Sequence, residues 1–104
     1  MDKEPTDVGD DTQVKKRKTK AQLRREHEQE ELRQLLSTPG GRYFLWRLLD
    51  YCKLFHTISS NNSIDMALLS GRRDAGLWVF AEIMETAPNT WTIMKEEANQ
   101  REEK

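Results

Sequence analysis

A chain of 104 residues has room for one domain and little more. Its 17 Lys and Arg and 18 Asp and Glu leave a net charge of −1, and that balance hides a local asymmetry: Asp2, Glu4, Asp7, Asp10 and Asp11 make residues 1–11 acidic, whereas Lys15, Lys16, Arg17, Lys18, Lys20, Arg24 and Arg25 make residues 15–25 basic. The single cysteine, Cys52, excludes an intramolecular disulfide and fits a reducing compartment. No stretch approaches the roughly 20 apolar residues of a membrane span, and the polar start lacks a signal-peptide core, so the expectation is a soluble, unprocessed protein.

Residues 1–19 carry almost no apolar side chain beyond Val8 and Val14 and are predicted to be a disordered tail, acidic and then basic. The run V-K-K-R-K-T-K (14–20) has three readings. It is a nucleic-acid contact in which each phosphate neutralised releases counterions, a nuclear-localisation-like cluster, or a solvated tail that keeps a small protein soluble. No aromatic residue is interleaved, so base stacking is not part of the case.

Residues 20–36 contain no Gly or Pro and predict a polar arm helix. Leu32, Leu35 and Leu36 share a face and anchor its C-terminal end. Arg24 and Arg25 precede Glu28, the unfavourable charge order for a helix, and predict fraying; there is no heptad to sustain a coiled coil. His27 reads as a solvated helix histidine, and His56, placed in a loop, reads the same way.

Ser37-Thr38-Pro39-Gly40-Gly41 is helix punctuation, with Thr38 as N-cap and Pro39 in the first turn. The two glycines let another segment approach; as a phosphate cradle, G-G-R lacks the spacing of the known loops. The helix predicted over 39–53 has Leu45, Leu48, Leu49 and Cys52 as its core stripe, flanked by Phe44 and Tyr51. Arg42, Trp46, Asp50 and Lys53 fall on the opposite side, with Tyr43 and Arg47 nearby. Trp46 there either covers the arm helix near Leu35 and Leu36 or anchors a partner, because Trp, Tyr and Arg are the residues enriched at interface hot spots. Cys52 on the apolar stripe is a small buried hydrophobe with no base placed to activate it.

Residues 54–62 form a loop in which Leu54, Phe55 and Ile58 fold back as a hydrophobic plug. Its Asn/Ser cluster lacks the calcium-loop pattern and serves instead to cap the next helix, with Asn62 or a neighbour as cap. That helix, 63–87, is the longest. At about 100° per residue, Ile64, Leu68, Ala75, Val79 and Ile83 form one stripe, widened by Leu69, Gly76 and Phe80. From Ala75 to Met84 it is apolar nearly all round, the pattern of a helix enclosed by neighbours on several sides. Gly71 and Gly76 mark close approach, expected from residues 39–53 of the same chain. Arg72 in the middle of the apolar face calls for an ion pair with Asp50, Asp65 or Asp74, or else for a phosphate or partner contact. Pro88 restarts a final helix, 88–100, with Trp91, Met94 and Ala98 as its inner face and residues 101–104 frayed.

The expected fold is therefore all-α: three packed helices in a compact unit over 37–100, with the polar arm helix and the tail before it. Most apolar mass lies after Leu32, and a packed unit of about 60 residues is marginal on its own by surface-to-volume scaling.

The segments G-R-Y-F-L-W-R-L-L (41–49), C-K-L-F (52–55), the Asn/Ser loop, G-R-R-D-A-G-L (71–77) and A-E-I-M-E-T-A-P (81–88) resemble a family of small proteins of short-tailed bacteriophages, encoded among virion-structure and morphogenesis genes. The resemblance covers residues 39–98 and leaves the basic arm outside. It implies a virion-associated or assembly role, with Gly41, Arg42, Trp46, Gly71, Arg72, Arg73 and Gly76 among its characteristic positions, and it brings no catalytic assignment. The expectation is a non-enzymatic structural or morphogenesis protein that needs no cofactor or metal and binds capsid, portal or internal virion proteins through Arg42, Tyr43, Trp46, Arg47, Arg72 and Arg73. Its place would be the host cytoplasm during assembly and then the virion. The alternatives are nucleic-acid binding through the basic segment and inhibition of a host protein.

Overall fold

The computed structural model describes residues 17–102. Of the expected tail over 1–19, residues 1–16 lie outside them; of residues 101–104, expected to fray, 103 and 104 lie outside, and Arg101 and Glu102 continue the last helix. Four helices, α1 (Lys20–Leu36), α2 (Pro39–Tyr51), α3 (Ser63–Thr86) and α4 (Pro88–Glu102), make up the regular structure of the described residues. The expected all-helical class is what the chain adopts. It divides into two compact units between Glu31 and Leu32.

In the first unit, α1 begins with a reciprocal cap that sequence reading overlooked. The Gln22 amide donates to Thr19 Oγ1 at 3.0 Å, and the Thr19 amide donates to Gln22 Oε1 at 2.8 Å. This T-x-x-Q box satisfies two of the helix's orphan N–H groups, and α1 is helical from Lys20 without a break.

The second unit is built on helix ends that the sequence announces. Thr38 Oγ1 accepts from the Gly41 amide at 3.1 Å with Pro39 in the first turn of α2, and Asn62 Oδ1 accepts from the amides of Ile64 and Asp65 at 2.8 and 3.1 Å. The helix expected to run to Lys53 stops at Tyr51. Its end is a Schellman motif: Lys53 sits in the left-handed region at φ 64°, its amide donates to the Asp50 carbonyl, and the Leu54 amide donates to the Leu49 carbonyl. Lysine in the place that usually falls to glycine is why the sequence concealed this stop.

Helices α2, α3 and α4 touch one another pairwise. Their shared core is Leu36, Leu45, Leu49, Ile83 and Met94, with Leu32, Leu48, Leu54, Val79, Phe80 and Trp91 packed against it. Met94 and Ala98 are the buried inner face of α4, as expected, and Trp91 is half-buried beside them. At the end of α1, Leu36 is buried and Leu32 half-buried, while Leu35 is 44% exposed: a Cβ on Gly41 would collide with the Leu35 carbonyl and lie 3.2 Å from Leu35 Cδ1, so Gly41 is where residue 35 approaches with both backbone and side chain.

The main correction concerns α3. Of the expected stripe, Ile83 is buried and Val79 half-buried, whereas Ile64 and Leu68 are 70% and 65% exposed and Ala75 is exposed. The widened stripe holds in the second half of the helix, where Gly76 and Ile83 are buried and Val79 and Phe80 half-buried, and Leu69 is half-buried before them. A Cβ on Gly76 would lie 2.6 Å from Cys52 Cβ, so the expected close approach by residues of the same chain occurs there, while a Cβ on Gly71 would meet open space. The physical reason is length. α3 has 24 residues against 13 in α2 and 15 in α4, and α2 ends level with Gly76, so the first turns of α3 run past their neighbours. Nor is α3 enclosed on all sides, since Trp78, Leu77 and Met84 are 67%, 41% and 37% exposed.

Candidate partner-binding surface

The residues expected to meet a partner have different fates. Arg42 is used up inside the fold. Its Nε and Nη2 donate to the two carboxylate oxygens of Glu97 at 3.0 and 2.8 Å, and its Nη1 donates to the Leu36 carbonyl at 3.0 Å. A bidentate guanidinium–carboxylate pair is among the strongest polar contacts a protein makes. Here it ties the start of α2 to α4 and to the last carbonyl of α1. The hydrogen bond from Arg42 holds the Glu97 carboxyl below the usual carboxylate range, against the opposing effect of burial, and Glu97 in turn raises the Arg42 guanidinium.

Trp46 is also half-buried, with ring partners that were not expected. It packs against the core that includes Leu36, stacks on Phe55 of the 54–62 loop, with centroids 4.6 Å apart, and lies 5.4 Å from Trp91, which meets Phe80 edge-on at 4.9 Å. Of the plug expected from Leu54, Phe55 and Ile58, Leu54 packs against the core and Ile58 is half-buried, while Phe55 joins this ring cluster at its rim, still 40% exposed.

Arg72 makes no ion pair with Asp50, Asp65 or Asp74. Its guanidinium lies over the Tyr51 ring, 4.6 Å from the centroid, a contact that lets a cation sit at the edge of an apolar face without a carboxylate. Arg73 is half-buried, and its Nε has no hydrogen-bond partner.

What remains exposed on α2 gathers into two neighbouring hollows. One, of about 640 Å³, is lined by Phe44, Arg47, Leu48, Asp50, Tyr51, Lys53 and Arg72; the other, of about 280 Å³, by Tyr43, Trp46, Arg47, Asp50, Ala98, Arg101 and Glu102. Arg47 and Asp50 form the ridge between them. Tyr43 carries Arg101 at 4.1 Å and Arg47 at 5.7 Å from its ring. Three expected residues, Tyr43, Arg47 and Arg72, thus meet on one surface, joined by Phe44, Tyr51, Lys53 and Arg101, which sequence reasoning did not assign. Phe44 and Tyr51, expected as flanks of the core stripe, are 54% and 61% exposed, because the neighbouring helices cover the stripe and not its flanks.

His56 Nε2 lies 2.9 Å from Asp50 Oδ1 in an exposed pair, and among the described residues no group of three His, Cys, Asp or Glu side chains gathers at metal-binding distance. His27 is exposed, with Glu31 3.9 Å away. Of the basic segment, Lys15 and Lys16 lie outside the described residues. Arg17, Lys18, Lys20 and Arg24 are exposed, Lys18 is paired with Glu26, and half-buried Arg25 lies 3.5 Å from Glu28. Two of the five described cations are therefore already opposite carboxylates.

The described residues are helical in all their regular structure, the hollows beside α2 gather aromatic and cationic side chains, and no helix of the described residues is long and apolar enough to cross a membrane. Residues 32–95 match the family of Bbp19-like phage proteins, and the chain belongs to that family. The matched segment begins at Leu32, the residue at which the second compact unit begins, so the family's shared part and the packed unit start together. No curated protein and no solved structure matches the chain.

Proposed function

We propose that this is a non-enzymatic phage structural or morphogenesis protein, a three-helix unit with a polar arm, that acts through contacts with capsid, portal or internal virion proteins. In this reading it is present in the host cytoplasm during assembly and then in the virion. The observation that carries the reading is membership of a phage family over the packed unit. The surface of α2 supports it, because exposed Phe44, Tyr43 and Tyr51 beside Arg47 and Arg72 are the side chains that anchor protein interfaces. Mass spectrometry of purified particles and of assembly intermediates tests the role; absence of the protein from both would overturn it. Arg47→Glu and Tyr51→Ala should remove the protein from assembly intermediates while leaving its helicity intact.

A second reading, nucleic-acid binding by the basic segment, draws on the exposed Arg17, Lys20 and Arg24. It predicts DNA binding that weakens steeply with salt and vanishes on removal of residues 1–20; unchanged affinity after truncation would remove it.

A further inference from the structure

The larger hollow beside α2 gathers cations that the packed unit does not neutralise. Arg47, Lys53 and Arg72 line it, and none of them makes an ion pair with a carboxylate among the described residues, whereas Lys18, Arg25 and Arg42 each face a glutamate. Asp50, on the same wall, lies against His56 instead, at 2.9 Å. The chain has 17 Lys and Arg against 18 Asp and Glu, so this local excess is not a by-product of a basic composition.

Lys53 adds a second observation. It ends α2 at φ 64°, a conformation that strains any residue with a side chain and leaves glycine at ease. Lysine there weakens the turn and sets a cation on the wall of the hollow. Rings stand between the cations: Phe44 and Tyr51 are largely exposed, and the Arg72 guanidinium lies over Tyr51.

We propose, resting on the protein-binding reading of this face, that the hollow takes an acidic, extended segment of the partner protein. Its carboxylates meet Arg47, Lys53 and Arg72, and its apolar side chains lie on Phe44 and Tyr51. The charge of the wall calls for an anion, and guanidinium groups bind carboxylates through paired hydrogen bonds. Carboxylates are favoured over phosphates by what is interspersed. Asp50 lines both hollows and Glu102 the second, so a nucleic-acid strand, charged at every residue, would meet like charge wherever it crossed the Asp50 ridge. A polypeptide sets charged and apolar side chains in alternation and matches cation and ring in turn. A volume of about 640 Å³ suits one short segment, being within the range of about 300–1,000 Å³ typical of ligand clefts.

Fluorescence anisotropy of a labelled peptide of about ten alternating Glu and Leu residues, titrated with the full chain at low salt, tests this. Binding should fall between about 1 µM and about 1 mM and weaken as salt rises. Arg47→Glu and Arg72→Glu should each weaken it at least about tenfold with helicity unchanged, and Arg24→Glu, on α1, should leave it as it is. A peptide with Gln in place of Glu should not bind. Lys53→Gly separates binding from folding: it should weaken binding at least about threefold without lowering the thermal midpoint, because the strain leaves with the charge.

No binding at about 1 mM, equal affinity for the Gln peptide, or indifference to both glutamate variants would overturn the proposal. Tighter binding of a single-stranded DNA of similar length, lost in the same variants, would assign the hollow to nucleic acid instead. Peptide affinity that rose at least about tenfold on removal of residues 1–11 would assign it to the chain's own acidic residues. The virion role is decided separately. Absence of the protein from particles and assembly intermediates, with peptide binding intact, would remove that role and leave the acidic-segment chemistry standing; presence there without peptide binding would remove the acidic segment alone.

Discussion

Both halves of α3 carry large apolar side chains, the second half more of them, and the two differ in how far those side chains are covered. From Gly76 on, Ile83 is fully buried, Thr86 is 7% exposed, and Val79 and Phe80 lean on the core; before Gly76, Ile64 and Leu68 stand in the open. The difference lies in what approaches. The second half meets Cys52, the C-cap of α2, and then α4, which turns back after the single linking residue Ala87. The first half has only the return loop before it. Apolar content sets how much burial a helix can gain, and the length of its neighbours sets how much it does gain.

Substitutions can break this contrast in graded steps. Ile83→Ala, at a fully buried site, should cost about 2–5 kcal/mol in chemical denaturation. Breaking the clamp at the closed end by Glu97→Gln should cost about 2 kcal/mol, the scale of hydrogen bonds to a charged partner. The pH dependence has the matching sign. Because the folded state lowers the Glu97 pKa, its contribution is present above the unfolded carboxylate range and is lost as pH falls through the folded value. An acid titration of stability should therefore lose less in Glu97→Gln than in the wild type.

The glycines give a smaller and sharper comparison. Gly76→Ala should destabilise by about 1–2 kcal/mol, because its Cβ would press on Cys52 Cβ and the helix-propensity gain does not offset that. Gly71→Ala should stabilise by about 0.5–1 kcal/mol, since the new methyl meets nothing and the unfolded chain loses freedom. Leu68→Ala, on the exposed half, should change the stability of dilute protein by less than about 0.5 kcal/mol. If Gly71→Ala and Gly76→Ala moved stability in the same direction, the two halves of α3 would not differ as described.

The candidate surface was only partly legible for a related reason. Tyr43, Arg47 and Arg72 could be picked out by residue type, but whether an arginine is spoken for depends on a residue far away in the chain. Glu97 lies 55 positions from Arg42, and only packing brings them together. A carboxylate between Met94 and Ala98 on the inner face of α4 was the available hint. Trp46 left the charged face for the same reason: its partners Phe55 and Trp91 come from a loop and from another helix.

Sequence alone determined the class, the helix starts at Pro39, Ser63 and Pro88, and the inner face of α4, because caps, prolines and a well-separated apolar stripe act over a few neighbouring residues. Tertiary structure alone decided how much of the α3 stripe is covered. Periodicity placed Ile83, Val79 and the widening Gly76 and Phe80 on one face, but it could not show that the same stripe stays open at Ile64 and Leu68. That was decided by the place where a glycine lets Cys52 come within contact, and by neighbours about half as long as the helix they cover.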